Sequence, residues 1–188
     1  MEHFYKKIDG WFNMENEYSE LLNFCNDGSN FVELGAWKGK STCYAVVELL
    51  NNNKKINFFT VDTFEGVTAG SDLNEVNAYL KEDKNILDQF IKNTEPIKEN
   101  FKYFISDSAT ASNLFEDSSV DAIFIDAGHS YESVKNDIES WFNKMKPDSI
   151  MSGHDYCESW PGVIKAVDEF FGKPDKVINR CWFKYVKK

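Results

Sequence analysis

The sequence predicts an α/β protein: a doubly wound, mostly parallel sheet of seven strands that ends in an antiparallel strand pair. Three observations predict it. Short apolar runs alternate with longer stretches of helical periodicity along most of the chain, the pattern of βα units with helices on both faces of a parallel sheet. At residues 31–42, FVELGAWKGKST, a strand-like run passes through a glycine turn straight into a helix. Residues 176–178 and 181–186 are two short strand-like runs, too close together for a crossover helix, so they must pair antiparallel.

The elements follow in order. Tyr18, Leu21, Leu22 and Cys25 form a helical stripe that stops near Asp27-Gly28. Residues 31–34 are the first strand, and 41–50 a helix lined by Cys43, Val46, Val47 and Leu50. Residues 56–61 are the second strand, ending in Asp62. Residues 66–83 are polar and irregular, with a short helix expected around 74–80. Ile86, Leu87, Phe90 and Ile91 make a clearer stripe, stopped before Pro96. Residues 101–105 form the third strand, ending at Asp107, and a short helix is expected over 108–115. Residues 120–125 form the fourth strand, ending at Asp126; Val134, Ile138, Trp141, Phe142 and Met145 then make a long amphipathic helix. A shorter fifth strand, 149–152, precedes His154 and Asp155. Pro161 opens the next helix, Val163, Val167 and Phe170 line it, and Gly172 and Pro174 close it. In the terminal pair, Trp182 and Phe183 are expected to be partly buried.

The 188 residues suggest one domain, 1–188, with a helical or lid segment at 1–28 and an insertion with a lid at 66–100. Apolar residues at 42% and charged ones at 28% are ordinary for a globular chain with a real core. Thirty-one acidic against 21 basic residues give a net charge of −10, which argues against non-specific binding to nucleic acid or an anionic membrane. Cys25, Cys43, Cys157 and Cys181 lack paired metal spacing, residues 1–10 carry charges throughout, and no apolar run approaches the ~18–20 residues of a membrane span. The thiols therefore read as free, and the location as cytoplasmic.

The glycine turn is a ligand site on chemical grounds. Glycine lets the backbone approach a ligand closely, and the helix behind it aims its first N–H groups at the same place. A pyrophosphate cradle is a poor fit: the pattern is E-x-G-x-x-x-G, with bulky Trp37 between Gly35 and Gly39, and Gly39-Lys40-Ser41 lacks the Walker spacing. Glu33, just before the glycines, fits a ligand with a positive end. A plain βα turn remains the alternative. Farther along, Glu33, Asp62, Asp107, Asp126 and Asp155 lie at or just beyond successive strands. In a doubly wound sheet those strand ends share one rim, where ligands bind. An Asp after a strand is ordinarily a helix cap or an Asx turn, but five carboxylates on one rim exceed that reading.

From Gly10-Trp11-Phe12 to the C-terminus the chain resembles class I S-adenosylmethionine-dependent methyltransferases, closest to the branch of sugar and macrolide O-methyltransferases related to the catechol type. VELGAWKGKST resembles the first motif of that family, VDTFEG the second, ISDSA the third, and IDAGHSYESVKNDI with GHDY the fourth and fifth. The resemblance implies a Rossmann-like form of the sheet and S-adenosyl-L-methionine as cofactor. Glu33, with the backbone at Gly35, Ala36 and Trp37, would hold the cationic methionine end, and Gly39, Ser41 and Thr42 complete the motif, with helix capping the alternative for the last two. Asp62 would take both ribose hydroxyls, as a two-oxygen acceptor can. Thr63 and Phe64 would border the adenine, and Asp107, beside Ser108, would accept from its amino group.

Asp126, His129, His154 and Asp155 make the reacting side. An alcohol is a poor nucleophile near neutral pH and needs a general base or a metal that lowers its pKa. In metal-dependent relatives three oxygen ligands come from the ends of strands four and five, which map onto Asp126, His154 and Asp155. His154 stands where the family more often has a second acid, so Mg²⁺ becomes less favoured than Mn²⁺, Fe²⁺ or Zn²⁺, or His154 becomes a base. His129 sits where catechol-type relatives carry a basic catalytic residue. Gly128 replaces an acid of some relatives, which weakens the metal case, and Lys146-Pro147-Asp148-Ser149 replaces a Lys-Pro-Gly-Gly turn. The leading expectation is methyl transfer to a hydroxyl of a small molecule such as a sugar. The alternatives are a nicotinamide-dependent oxidoreductase and a cofactor-binding module without catalysis. The oligomeric state is left open, a homo-oligomer included.

Overall fold

The computed structural model of the protein describes residues 1–66 and 85–187. Seven strands form one sheet: Asn30–Leu34 (β1), Asn57–Asp62 (β2), Lys102–Ile105 (β3), Val120–Ile125 (β4), Met145–Gly153 (β5), Lys176–Ile178 (β6) and Cys181–Val186 (β7). Their spatial order is β3-β2-β1-β4-β5-β7-β6. The first five pair in parallel, and β7 pairs antiparallel with both β5 and β6. The order therefore reverses between β1 and β4, which places a crevice at their carboxyl ends.

Both faces of the sheet are covered, and the strand residues alternate between two cores. Phe31, Phe58, Phe124, Ile150 and Phe183 face one core, where they meet the helices Glu15–Phe24 (α1) and Lys40–Asn51 (α2). Val32, Leu34, Ile123, Ile125, Met151 and Trp182 face the other, against Tyr131–Phe142 (α5) and Pro161–Phe171 (α6). This two-sided burial is why the strands read as nearly continuous apolar runs. Among the described residues the remaining α-helices are Ile86–Thr94 (α3), running into a 3₁₀ turn at Glu95–Asn100, and the short Ser108–Ser112 (α4). Side-chain caps set three of the helix starts. Asn85, Asp107 and Ser130 accept backbone N–H bonds from Asp88, Thr110 and Ser133. Pro161 opens α6, and Gly172, at φ 80°, closes it.

The carboxyl ends of four strands are stitched into one rank. The residue just past each strand donates its N–H to the neighbouring strand: Ser106 to Asp62 O, Gly35 to Val61 O, Asp126 to Leu34 O, and His154 to Ile125 O, at 3.1, 2.9, 2.8 and 3.1 Å. At the centre of this rank a Cβ on Gly35 would lie 2.1 Å from the Asp126 carbonyl oxygen, and Gly35 has φ 88°.

Four sequence expectations are corrected. The stripe expected to run to Met145 ends at Phe142; Met145 is fully buried as the first residue of β5, opposite Val120. The fifth strand is thus longer than expected. The register shifts between Val120 and Ala122, and residues 146–149 bulge there. Pro147 has no ladder donor to give, Asp148 takes φ 55°, and Lys146 reaches Asp121 at 2.8 Å. Trp182 and Phe183 are fully rather than partly buried, because β7 is an inner strand with neighbours on both sides. The helix after Asp107 stops at Ser112. The short helix expected around 74–80, and most of the lid expected over 66–83, lie outside the described residues.

Two outcomes follow. Gly35→Ala should cost about 3 kcal/mol in urea unfolding, because the methyl meets backbone and the left-handed conformation disfavours it. Asp137 on α5 is 5% exposed, and burial, the first cause, with the Asp107 charge, raises its carboxyl to about 7 against the Ser108 hydrogen bond. A carboxyl raised on folding keeps its proton in the native state while the unfolded chain loses it, so stability falls as pH climbs from about 4 to about 7. Asp137→Asn should therefore match the wild type in unfolding free energy, measured by urea titration, near pH 4 and exceed it at pH 8, by up to about 4 kcal/mol.

Candidate active site

The turn after β1 is held from beneath. Asp62 Oδ2 accepts the N–H groups of Ala36 and Trp37 at 2.7 and 2.9 Å, and its Oδ1 accepts that of Phe64 at 2.7 Å. Three of the roughly four acceptor positions of a carboxylate are thus committed to the protein's own backbone. The expected pair of ribose hydroxyls finds room for one further donor, so Asp62 is in the first place the clamp on the turn. The glycines also serve the protein. Gly35 lets the turn lie against Asp126, while a Cβ on Gly39, the left-handed cap of α2, would meet Thr94 and Phe90 at 2.9 and 3.0 Å.

Glu33 departs most from expectation. Period-two alternation turns it to the α1–α2 face with Phe31, where it has no exposed surface. Its carboxylate accepts from Tyr18 OH at 2.9 Å, Thr42 Oγ1 at 2.5 Å and Thr60 Oγ1 at 3.0 Å. Burial raises its pKa, opposed by these hydroxyls and by Ser41. In this structure the side chain is engaged by the protein's own hydroxyls. Ser41 and Thr42 accordingly lie inside the first turn of α2 with their hydroxyls turned toward Glu33, and neither caps it. Phe64, at φ 56°, is buried against Phe90 and near Tyr103. Thr63 accepts from Glu65 N at 3.3 Å. Asp107 caps α4 through Oδ1, which holds its pKa below the usual range and leaves Oδ2 on an exposed side chain. Ser108 takes the Trp141 indole N–H at 3.0 Å and bonds Asp137.

At the ends of β4 and β5 the four reacting-side residues do converge. His129 Nε2 lies 3.6 Å from Asp126 Oδ1 and 3.1 Å from Asp155 Oδ2. His154 Nδ1 lies 3.8 and 3.3 Å from the same two oxygens. Asp126, His154 and Asp155 each offer a donor atom within 4.8 Å of the others, the grouping a divalent ion needs. Burial pulls the His154 pKa down, but its long hydrogen bond to Asp155 and the charges of Asp126 and Asp155 outweigh it, and the net shift is upward. Burial pushes Asp155 up, and the two histidines together with Arg180 outweigh that, so its carboxyl is held low. Asp155 sits at φ 59°, in the left-handed region that Asp tolerates better than most.

Three neighbours were missed by the sequence reading. Trp160 packs against the His129 ring at a tilt, centroids 4.7 Å apart, and its position just before Pro161 was a usable signal. Arg180, the only arginine of the chain, and Asn179 form the β6–β7 turn with φ 64° and 48°. The Arg180 carbonyl takes Tyr156 N at 2.9 Å, and the Asn179 side chain reaches Asn13 O at 2.8 Å, which brings the turn to the rim. The expected N-terminal lid also rests here: Trp11, 60% exposed, tilts toward Trp37 at 6.2 Å, and Lys40 ties down the Gly10 carbonyl at 2.7 Å. Among the described residues no helix is long and apolar enough to cross a membrane.

Comparison with known proteins gives this rim a family. The profile of a methyltransferase domain matches residues 32–156. An uncharacterised protein of Sinorhizobium fredii (strain NBRC 101917 / NGR234), y4gI, is 28% identical over 124 residues, which is 66% of this chain but only 13% of that protein's length. Among solved structures, the O-methyltransferase NovP superposes with a TM-score of 0.71 at 15% identity, over 93% of this chain and 79% of its own. The calicheamicin methyltransferase CalS11 gives 0.61 at 17%, over 93% and 77%. At these identities the structures establish a shared fold. The family match removes the nicotinamide-dependent alternative: over more than half its length, from the first buried strand to the turn after Asp155, the chain belongs to the S-adenosylmethionine-dependent methyltransferase-domain family.

Proposed function

We propose that the protein moves the methyl group of S-adenosylmethionine to a hydroxyl oxygen of a small polar molecule, with a sugar as the favoured acceptor class. The observation that carries the reading is the convergence of Asp126, His129, His154 and Asp155 beside the clamped turn. An amine acceptor needs little help to become a nucleophile, whereas an alcohol needs its proton drawn off, and two carboxylates with two imidazoles are what that task requires. CalS11, which shares the fold, is a TDP-rhamnose 3'-O-methyltransferase.

The cofactor supplies an electrophilic methyl group. The backbone of Gly35, Ala36 and Trp37 would border its methionine end, Asp62 keeps that backbone in place and would take a ribose hydroxyl with its remaining acceptor position, and Thr63 would border the adenine. The exposed carboxylate of Asp107, beside Ser108, would accept from the adenine amino group, and Phe64 would back the adenine wall from within the core. Bound there, the cofactor would supply a methyl group on a sulfonium that leaves as a neutral thioether, and Asp126, His129, His154 and Asp155 would be the groups that draw off the acceptor's hydroxyl proton. The donor set of Asp126, His154 and Asp155 fits a divalent cation, since it is half-buried and holds Asp155 ionised. A cation there would supply Lewis acidity that lowers the acceptor's pKa. The chain's own part is to fix the two carboxylates and to exclude water with Trp160 and the 179–180 turn.

Calorimetry should find S-adenosylmethionine and its demethylated product both binding. Asp62→Ala should weaken both about 10-fold to 100-fold, the equivalent of ~1.5–3 kcal/mol for bonds to a charged acceptor. Asp126→Asn should keep cofactor affinity within about twofold yet abolish transfer of labelled methyl to hydroxylated sugars, and EDTA should do the same reversibly. Cofactor binding unchanged in Asp62→Ala, or full transfer by Asp126→Asn, would sink the corresponding half of this assignment.

A further inference from the structure

We infer that Arg180 is a specificity residue of this site, and that its guanidinium takes an anionic group, a phosphate or a carboxylate, carried by the sugar whose hydroxyl is methylated. The inference rests on the methyl-transfer reading above for what happens to that sugar. The recognition of its anion stands on the placement and chemistry of the side chain.

Asn179 and Arg180 are the two residues between the paired strand ends Ile178 and Cys181, at φ 48° and 64°. Both positions of such a turn are left-handed; asparagine is common at the first and glycine is the ordinary choice at the second. The chain places its only arginine there instead. The turn is braced against the rim on two sides. The Arg180 carbonyl accepts Tyr156 N at 2.9 Å, next to Asp155, and the Asn179 amide donates to Asn13 O at 2.8 Å. At the far end of that N-terminal segment, Lys40 Nζ holds the Gly10 carbonyl at 2.7 Å. The arginine thus stands on a fixed turn at the edge of the reacting cluster, close enough for its charge to help lower the Asp155 carboxyl.

Within the protein the guanidinium is uncommitted. Arg180 is exposed, and among the described residues its side chain makes no hydrogen bond and no ion pair. Surface lysines differ: Lys98, Lys144, Lys173 and Lys184 each sit on a carboxylate at 2.7–3.0 Å. In a chain with 31 acidic residues, the planar fork best shaped for a carboxylate or a phosphate is left open beside a site that must hold a substrate. An oxyanion engages such a fork bidentately, which supplies orientation as well as affinity. Charge points the same way. With a net charge of −10 and two carboxylates at the reacting point, the protein repels an anionic acceptor unless a cation receives it at the flank. A role confined to neutralising Asp155 would set the guanidinium on that carboxylate, but His129 and His154 are the groups found there, at 3.1 and 3.3 Å.

The test is calorimetric titration of the full-length protein, with and without S-adenosylhomocysteine, using glucose 6-phosphate, UDP-glucose, glucuronate and neutral methyl glucoside as probes. At least one anionic probe should bind about 10-fold or more tightly than methyl glucoside, and which one it is tells a phosphate monoester, a diphosphate ester and a carboxylate apart. Arg180→Gly installs the residue the turn prefers, so its melting temperature should equal or exceed that of the wild type. It should lose about 10-fold to 100-fold in affinity for that anionic probe and stay within about twofold for methyl glucoside and S-adenosylhomocysteine. Arg180→Lys should recover only part of the loss, because an ammonium lacks the fork. A wild type without any anion preference, or a preference kept in full by Arg180→Gly, would refute the inference. Equal losses for charged and neutral probes would refute it too and leave Arg180 a structural part of the rim. Arg180-dependent anion binding by a protein that neither binds nor uses S-adenosylmethionine would leave this inference standing and overturn the proposed reaction instead. Methyl transfer to a neutral sugar, without any anion preference, would do the reverse.

Discussion

The close approach of the β1 turn to the end of β4 is the constraint on which the rest of the molecule depends. Asp126 N donates to Leu34 O at 2.8 Å, and the missing side chain of Gly35 leaves room for the Asp126 carbonyl. Because the strand order reverses between β1 and β4, this contact joins the two halves of the sheet at their ligand-binding edge. The rank of N–H bonds from Ser106 to His154 carries the alignment outward in both directions. A displacement of the turn by even an ångström would therefore shift Asp126 and, one strand farther, His154 and Asp155.

Buried acids fix the helices to that frame. Glu33 collects hydroxyls from α1, α2 and β2, and Asp137 with Ser108 joins α5 to the start of α4. Burying a carboxyl is costly, and both groups respond with raised pKa values. What the cost secures is directionality. Apolar contacts tolerate a slide of a helix along the sheet, while three hydroxyls aimed at two oxygens do not. Each acid sits below a rim segment, Glu33 under the β1 turn and Asp137 under Asp107-Ser108, so the deep polar contacts set the height of the rim.

The site itself separates its charges by environment. Asp155 is held low by the histidines and Arg180 in spite of its burial, whereas Asp137, with only a hydroxyl for company besides the Asp107 charge, is driven the other way. The same side-chain chemistry thus gives an ionised acid in the rim cluster and a neutral or titrating one in the core. Asp155 holds its place in the cluster on a left-handed backbone, at φ 59°.

The sequence alone determined the strand and helix order, the antiparallel end, the family and the cluster at Asp126, His129, His154 and Asp155. It could do so because hydrophobic periodicity and chain order are local properties, and because strand ends in a doubly wound sheet share one edge. Tertiary structure decided what each rim residue faces. Glu33 reads as a ligand group by its neighbours in the chain, but its parity within β1 turns it inward to Tyr18, Thr42 and Thr60, which arrive from three other elements. Asp62 became a clamp and Gly35 a spacer for Asp126 for the same reason: their partners lie on neighbouring strands or turns. Met145 crossed from the helix to β5 because pairing with Val120 outweighs a helical stripe only once the sheet exists. Trp160 and Arg180 joined the site through the packing of α6 and the β6–β7 turn. Contacts between residues far apart in the chain leave no periodic trace in it, and they are what fixed the chemistry of this rim.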